Sequence, residues 1–384
     1  MKIALVSPYD FAYPGGVVAH ISHLAHQIEL MGHTVKILAP ATTPSDLGLD
    51  NLIAVGRPFP VPSGGSIARI SLAVWRERQV KSILQDEAFD IVHLHEPLAP
   101  VLPLMVLRYS KAVNVGTFHA FHGRSRIYHL THHFVRRWFN SLDFRIAVSR
   151  PALQYISKFF PGDYRIVPNG IDVDFFSESV PPFDAFRDGK LNILFVARLE
   201  KRKGLKYLLQ AFGRLKWEHP QIRLIVVGPG NPGKECYRIM AERNLQDVVF
   251  VGGVTDEALR RYYHTADIFC APAIGKESFG IVLGEAMAAG KPIVATNIEG
   301  FASVVTDGAE GFLVSPASEG ALAIALERLI LDPNLRQEMG QQGRVTVQEY
   351  RWSRVAAQVV QCYEEAIVRR QPVPIPEAMV GVGR

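Results

Sequence analysis

The sequence is poor in cysteine and has no long apolar run. Its 384 residues include three cysteines, Cys236, Cys270 and Cys362, which are widely spaced and unpaired in pattern. This spacing excludes a disulfide framework and a cysteine-rich zinc site, and it fits a reducing cytoplasm. The first residues enter a strand pattern without the features of a signal peptide. Because no apolar segment is long enough to span a bilayer, we expect any membrane contact to be peripheral.

Several common functional signatures are also missing. The thirteen histidines include no H-E-x-x-H motif and no metal-like spacing, so no metal site is predicted. Gly15-Gly16, near the start of the chain, fits neither the G-x-G-x-x-G pattern nor the Walker pattern of nucleotide-binding loops. No nucleic-acid-binding motif is present, and we expect no nucleic-acid partner.

Positive charge is concentrated in one part of the chain. The formal net charge is +5, but residues 101–150 carry eight cationic residues against a single carboxylate, Asp143. A compact basic region suits a nucleic acid, an anionic membrane surface or a phosphorylated substrate.

Strand-like and helix-like patterns alternate in two series, at residues 2–168 and 192–348. The alternation predicts an α/β protein with two doubly wound parallel sheets. A turn at Asn169-Gly170 and a proline-rich stretch separate the two series. Within the first, one helix is expected over about Ala68 to Asp86. A last helix is expected from about Arg354 to Arg369, with Ser353 as its N-cap.

Two glutamates eight residues apart mark the second series. Glu277 lies in a predicted loop, and Glu285 lies two turns into a helix expected over about Phe279 to Ala289. The residues between them near the predicted helix start are Ser278, Phe279, Gly280 and Ile281. Free N–H groups and the helix dipole favour an anion there. Two acids around an anion site suit a sugar nucleotide, although an ordinary amphipathic helix with solvated glutamates is the alternative.

A run of cations, Arg198 to Gly204, follows the first predicted strand of the second series. Arg198 and Lys203 are placed to clamp a diphosphate leaving group, on which charge develops as the glycosidic bond breaks. A solvated charge run is the alternative. The position of these residues beyond a strand end favours the ligand-binding interpretation.

Two strand ends of the first series complete the candidate site. Gly15-Gly16 opens the first helix, where backbone amides approach a diphosphate without a Cβ in the way, or forms a plain turn. His119 ends another predicted strand and is placed to hydrogen-bond the reacting sugar or to relay a proton, unless it is structural. Ligands of such sheets bind beyond the carboxyl ends of strands, so both halves are expected to face one site.

Together these motifs resemble the retaining GT-B glycosyltransferases of family four. The matching segments are Gly15-Gly16, Phe118-His119, Pro168 to Asp172, Arg198 with Lys203-Gly204, Val226 to Gly228, and Glu277 to Glu285. The resemblance implies two Rossmann-like domains facing a cleft, with the C-terminal helix crossing back. It assigns 1–170 plus 352–370 to an acceptor-binding domain and 171–351 to a nucleotide-sugar-binding domain. The proline-rich composition of residues 371–384 predicts a disordered tail.

Within that family the chain is similar to the bacterial phosphatidylinositol mannosyltransferases, in residues 7–17, 65–69, 93–97, 116–119 and 277–290. The similarity implies GDP-mannose as donor and the inositol of phosphatidylinositol as acceptor, at the inner face of the cell membrane. It implies no cofactor and no metal, since Arg198 and Lys203 neutralise the leaving group. Ala120 and Val18 replace polar residues usual in the family, which leaves the donor sugar and the acceptor open.

The resemblance also implies individual roles. Those of the donor side are diphosphate binding for Gly16, Arg198 and Lys203, sugar hydroxyl contact for Glu277, ribose contact for Glu285 and transferred-sugar contact for His119. Those of the acceptor side are contact for Tyr9 and Arg69 and phosphate binding for Arg124. Retention without an evident carboxylate nucleophile favours front-face attack, in which the departing phosphate oxygen takes the acceptor proton. A covalent glycosyl-enzyme is the competing scheme.

The segment Arg124 to Phe139 is basic and aromatic, which is typical of an interfacial helix. Its apolar residues at helical spacing are Ile127, Leu130, Phe134 and Trp138. Packing of this stripe in the core is the alternative. Three other functions also stay open: a UDP-sugar-dependent relative with another acceptor, a sugar-nucleotide epimerase of the same architecture, and a nucleotide- or RNA-binding protein.

Overall fold

The first half of the chain builds a parallel sheet from short buried strands. The computed structural model describes residues 1–13, 15–63, 66–119 and 126–370. The strands of this half are β1 (Lys2–Val6), β2 (Thr34–Ala39), β3 (Leu52–Ala54), β4 (Pro58–Ser63), β5 (Ser66–Ser71), β6 (Ile91–His95), β7 (Val113–Phe118), β8 (Phe144–Ala147) and β9 (Arg165–Ile166). Its helices are α1 (Gly16–Leu30), α2 (Glu77–Glu87), α3 (Leu102–Tyr109), α4 (Arg126–Phe139) and α5 (Arg150–Ser157).

Seven of these strands form one sheet in the order β3-β2-β1-β6-β7-β8-β9, with parallel neighbours. The central strand β1 is covered on both faces, as its continuous apolar run predicts. Leu5 packs with Leu24 of α1, whereas the next residue, Val6, packs with Val106 of α3. The carboxyl ends of β1, β6 and β7 therefore meet at one edge of a rigid layer.

A hairpin replaces part of a predicted helix. β4 and β5 pair antiparallel, so the prediction of a helix from about Ala68 to Asp86 is wrong in its first part, and α2 begins only at Glu77. Arg69 consequently lies on a strand. The sequence contains a two-residue hairpin signal, Gly64-Gly65, between two runs of strand-forming length, and the helical interpretation overlooked it.

The second half builds a separate parallel sheet. Its strands are β10 (Leu191–Val196), β11 (Ile222–Val227), β12 (Val248–Gly252), β13 (Ile268–Ala271), β14 (Ile293–Thr296) and β15 (Gly311–Val314). Its helices are α6 (Val173–Ser177), α7 (Leu205–Glu218), α8 (Lys234–Glu242), α9 (Asp256–Thr265), α10 (Ile281–Ala288), α11 (Glu299–Ala302), α12 (Glu319–Leu331), α13 (Pro333–Thr346) and α14 (Trp352–Arg370). The strand order is β12-β11-β10-β13-β14-β15, again with parallel neighbours.

The last helix returns to the first sheet. Val355, Val359 and Tyr363 of α14 are buried in the same apolar cluster as β1 and α1. The helix begins at Trp352, so the predicted N-cap at Ser353 is wrong, because Ser353 already lies in the first turn. None of the helices in the described ranges is both long and apolar enough to cross a membrane. The domain boundaries proposed from the sequence stay a prediction, and the tail predicted at 371–384 lies outside the described residues.

The chain passes twice between the halves, and the two passages touch. The backbone N–H of Ile171 donates to the carbonyl of Tyr350 over 2.7 Å, next to Gly170 and Trp352. A Cβ built on Gly170 lies 2.2 Å from the indole of Trp352, so no larger residue fits without moving that ring.

We expect Gly170→Ala to lower the free energy of unfolding by about 1–3 kcal/mol, because the added methyl overpacks this contact. Gly320→Ala is the matched control. A Cβ at Gly320, in α12, meets nothing within 4 Å, and alanine there is expected to raise stability by about 0.5–1 kcal/mol. Urea denaturation of both variants measures the difference. Equal stability of the Gly170 variant and the wild type contradicts the prediction.

Candidate active site

Two loops of the second sheet come together at the carboxyl ends of β10 and β13. These strands are neighbours, so the loop 197–204 lies beside the loop that contains Glu277. Gly204 ends the first loop with a φ of 74°, and a Cβ there would lie 1.9 Å from the carbonyl oxygen of Pro272. Only glycine permits such a close contact between the two backbones. The cationic turn Lys201–Lys203 therefore packs next to the end of β13.

An ion network joins the predicted donor-side residues. Lys203 Nζ lies 2.6 Å from Glu277 Oε1, and Arg202 binds the same oxygen. Arg202 also contacts Glu200 over 2.7 Å, and Arg198 Nε lies 3.5 Å from Glu200. The Glu277 side chain is 13% exposed, whereas that of Arg198 is 57% exposed. Burial lowers the pKa of Lys203, and the charge of Glu277 opposes that shift.

The structure thus brings Arg198, Lys203 and Glu277 together through two residues that sequence reasoning did not single out. Arg202 and Glu200 stand in the same short cationic run. Their place in this run is the only feature of the sequence that points to them. No local pattern predicts that Arg202 contacts Glu277, which lies 75 positions away. The carboxylate of Glu277 is held by two cations, whereas the guanidinium of Arg198 stays exposed to solvent.

The helix after Glu277 starts later than predicted. Gly280 has a φ of 95° and is the N-cap residue, so α10 begins at Ile281. Ser278 and Phe279 therefore lie in the loop before the helix. The Phe279 side chain is buried, with its ring centroid 5.3 Å from that of Tyr350. Of these residues, Ile281 opens the helix, where unpaired backbone N–H groups favour an anion.

Glu285 lies about one turn into α10 and is partly buried. Its Oε2 accepts a hydrogen bond of 2.6 Å from the hydroxyl of Tyr263, which sequence reasoning missed. Burial raises the pKa of Glu285 to about 7, although the hydrogen bond from Tyr263 opposes the shift. The side chain is therefore near the midpoint of its titration at neutral pH, and a ligand that donates hydrogen bonds would favour its ionised form.

This pKa predicts a pH-dependent term in stability. Because the pKa of Glu285 is about 7 in the folded state and 4.5 ordinarily, the folded state binds the proton more tightly. The free energy of unfolding therefore falls as pH rises between these values. Glu285→Gln cannot ionise, so relative to the wild type it is expected to gain roughly 2 kcal/mol between about pH 5 and pH 8. Urea denaturation at both pH values measures this gain. The exposed Glu364→Gln is the control, and an equal gain in both variants contradicts the prediction.

The start of α1 faces the second half across a pocket. A Cβ on Gly15 or Gly16 would meet nothing within 4 Å, so the protein's own packing does not demand glycine there. A pocket of about 260 Å³ is lined by Gly16 and His20 on one side and by Ile281 and Glu285 on the other. The two halves therefore share a cavity, as expected from their strand ends. His119, Arg198, Lys203 and Glu277 lie outside its lining.

His119 lies in a group of imidazoles. Its Nε2 is 2.9 Å from Nδ1 of His95, and its ring centroid is 4.7 Å from that of His20. Its backbone N–H donates to Glu96 Oε1 over 2.8 Å. Glu96 is buried and has a φ of 52°, a backbone strain typical of functional sites. Burial holds the pKa of His119 well below its usual range, so the imidazole is neutral at pH 7.

Two of the three predicted acceptor-side residues are neighbours. Tyr9 forms an isolated β-bridge with Ile70, the residue after Arg69. The Arg69 guanidinium lies 4.3 Å from the ring centroid of Tyr13. Burial, with a smaller contribution from Glu96, raises the pKa of the Tyr9 hydroxyl, which is therefore protonated at neutral pH. Arg124 lies outside the described residues.

The sequence that folds into these two parallel sheets is similar to known proteins. Residues 14–175 match the family described as Glycosyltransferase Family 4, and residues 178–346 match Glycosyl transferases group 1. A phosphatidyl-myo-inositol mannosyltransferase of Mycobacterium leprae is 37% identical over 366 residues, which is 95% of this chain and 96% of that protein. The chain belongs to glycosyltransferase family 4.

Solved structures agree on the fold of this family 4 glycosyltransferase. A glycosyltransferase from Rickettsia africae superimposes with a TM-score of 0.79 at 21% identity, covering 96% of this chain and 99% of that one. An Anabaena protein in complex with UDP and glucose gives a TM-score of 0.75 at 20% identity, covering 95% and 100%. The GT-B prediction is confirmed, and the roles of the individual site residues stay predictions.

Proposed function

We propose that this glycosyltransferase moves mannose from GDP-mannose, with retention of configuration, onto the inositol of phosphatidylinositol at a membrane surface. The observation that carries the proposal is the 37% identity to a phosphatidyl-myo-inositol mannosyltransferase along nearly the full length of both chains. The arrangement of the donor-side residues supports the same chemistry.

In this proposal the diphosphate binds at the exposed Arg198, at Lys203 and at the open N-terminus of α1. Cations placed there stabilise the negative charge that develops on the leaving group. Glu277, held by Lys203 and Arg202, accepts hydrogen bonds from the sugar hydroxyls, and Glu285 accepts them from the ribose. Because side chains supply the positive charge, the proposed reaction needs no metal.

The reaction breaks the bond between the sugar anomeric carbon and the phosphate oxygen. A new bond forms on the same face between that carbon and the inositol oxygen. The inositol proton passes to the departing phosphate oxygen, which leaves GDP and mannosyl-phosphatidylinositol as products. The protein positions the two substrates and neutralises charge. The acceptor lies near Tyr9 and Arg69, with Arg124 near its phosphate.

The end of α4 supports contact with an anionic membrane. Phe134 of the predicted apolar stripe is 66% exposed. Trp138 of the same stripe is partly buried against the core cluster that contains Val135 and Phe139, so among the described side chains the stripe is divided between surface and core. Arg136 and Arg137 are exposed, and the Arg137 guanidinium lies 3.7 Å from the Trp138 ring. An exposed aromatic beside two cations is typical of an interfacial helix.

Replacing Arg136 and Arg137 by alanine is expected to lower binding to phosphatidylinositol-containing liposomes by about 30-fold, since each cation near an anionic surface contributes about 1 kcal/mol. Arg214 and Arg238 are exposed cations of α7 and α8, and their double alanine variant is the matched control. Co-sedimentation with liposomes measures both. Unchanged binding of the α4 variant removes the membrane role of this helix.

The proposed function is tested by transfer to phosphatidylinositol in liposomes, with GDP-mannose and UDP-glucose supplied in parallel. We expect a mannosyl lipid from GDP-mannose that Glu277→Ala abolishes. Transfer from the UDP-sugar alone would move the protein to another branch of the family. An epimerised sugar nucleotide formed without acceptor would overturn the transferase assignment. Donor binding without a lipid product would overturn the acceptor.

A further inference from the structure

Four imidazoles lie together where α1 and α14 pack on the first sheet, and His119 is the one of the four that is partly exposed. His93 and His95 project from β6, with ring centroids 4.4 Å apart, and both are 0% exposed. The His95 and His119 ring centroids are 5.2 Å apart. His20 of α1 completes the group, and burial lowers the pKa of all four side chains below the usual value. The imidazoles are therefore neutral at pH 7.

The hydrogen bonds of this group restrict where the protons lie. His20 Nδ1 is 3.1 Å from Asn169 Oδ1, and since a carbonyl oxygen only accepts, His20 donates there. His93 has both nitrogens bonded, to the hydroxyls of Tyr363 and Thr117. His95 Nδ1 is bonded to His119 Nε2. A bond between two neutral imidazoles needs one N–H and one lone pair, so one ring donates and the other accepts.

The second nitrogen of His95 decides the direction of that bond. His95 Nε2 is buried and has no partner within the described part of the chain. If His119 donated, the proton of His95 would lie on Nε2 as a buried N–H without an acceptor, which proteins rarely tolerate. If His95 donates from Nδ1, only a lone pair is left unpaired, which is tolerated more often. His119 then accepts at Nε2 and carries its own proton on Nδ1.

We propose that His95 is a positioning residue that holds His119 as the Nδ1–H tautomer, so that His119 offers the donor sugar a neutral hydrogen-bond donor. The inference rests on the proposed function, together with the contact to the transferred sugar that the family resemblance implies for His119. In this tautomer Nε2 is occupied by His95 and Nδ1 has no lone pair, so His119 can donate a hydrogen bond to the sugar but has no free lone pair to take up the acceptor proton. The acceptor proton is then left to the departing phosphate.

The tautomer is measured directly by nitrogen NMR of the full-length protein labelled with ¹⁵N-histidine, with the His119 signals identified by their loss in His119→Gln. We expect the Nδ1 of His119 to resonate as a protonated nitrogen and its Nε2 as an unprotonated one. Protonation at Nε2 instead would overturn the proposal. This measurement needs no active enzyme and no variant at His95.

Two amides at position 95 separate a positioning role from simple packing. The asparagine amide occupies the place of Nδ1 and can still donate to His119, whereas the glutamine amide occupies the place of Nε2 and cannot. We expect His95→Asn to exceed His95→Gln in kcat by about 10- to 100-fold, the usual effect of residues that orient a functional side chain, with similar KM values for the acceptor. His26→Gln, at an exposed position of α1, is the control and is expected to leave kcat unchanged.

Equal kcat values in the two His95 variants, with both folded by circular dichroism, would overturn the positioning role. If the wild type transfers no mannose to phosphatidylinositol, the proposed function fails. The NMR tautomer of His119 then still decides whether His95 controls its protonation.

Discussion

Replacing Lys203 with methionine is expected to lower kcat by about 10²- to 10³-fold, the usual cost of removing one group that stabilises developing negative charge. Lys203 is mostly buried, and its ammonium lies 2.6 Å from Glu277, at the place where the diphosphate is proposed to bind. Methionine keeps the length and much of the apolar stem of lysine but supplies no charge. Steady-state kinetics with saturating donor and acceptor measure kcat.

Lys201 offers a matched control within the same short turn. It is exposed, and no ion pair of its side chain is found among the described residues. Lys201→Met removes one positive charge from the same loop and is expected to change kcat less than threefold, because an exposed charge in water stabilises little. Similar losses in the two variants would mean that general loop charge, rather than the position of Lys203, assists the reaction.

Replacing Glu277 with glutamine is expected to lower kcat by about 10²- to 10³-fold as well, because two effects combine. The sugar hydroxyls lose a charged hydrogen-bond acceptor. Lys203 and Arg202 lose the carboxylate that holds them, so the cations that neutralise the leaving group are no longer fixed in place. Transfer kinetics and donor binding by calorimetry measure the two effects separately.

Glu200→Gln is the matched control for Glu277. Glu200 belongs to the same ion network, with Arg202 at 2.7 Å and Arg198 at 3.5 Å, but it has no proposed contact with the sugar. We expect its loss to lower kcat by about tenfold or less. If Glu200→Gln is as damaging as Glu277→Gln, the role of Glu277 is to support the network, and its proposed contact with the sugar is wrong.

The candidate residues that the sequence predicts correctly as neighbours are those whose motifs follow predicted strands. Arg198, Lys203 and Glu277 each follow a predicted strand, and β10 and β13 place their loops side by side. The prediction of Phe279 as a donor contact depends on a helix start near that residue, whereas the left-handed Gly280 places the start at Ile281. A single φ above zero is not visible in an apolar periodicity, so the boundary of α10 was misplaced.

Apolar periodicity and glycine-containing turns predict the two parallel sheets and the sheet edge at which the candidate residues lie, because both are local properties that repeat with each strand and helix. Which side chains meet depends on the complete fold. Tyr263 reaches Glu285 from another helix, and His20 bonds Asn169 across 149 positions. The proton positions of His95 and His119 depend on such contacts. These contacts depend on how the helices pack across the sheets and on which side-chain rotamers fit. Neither can be predicted from a local sequence pattern.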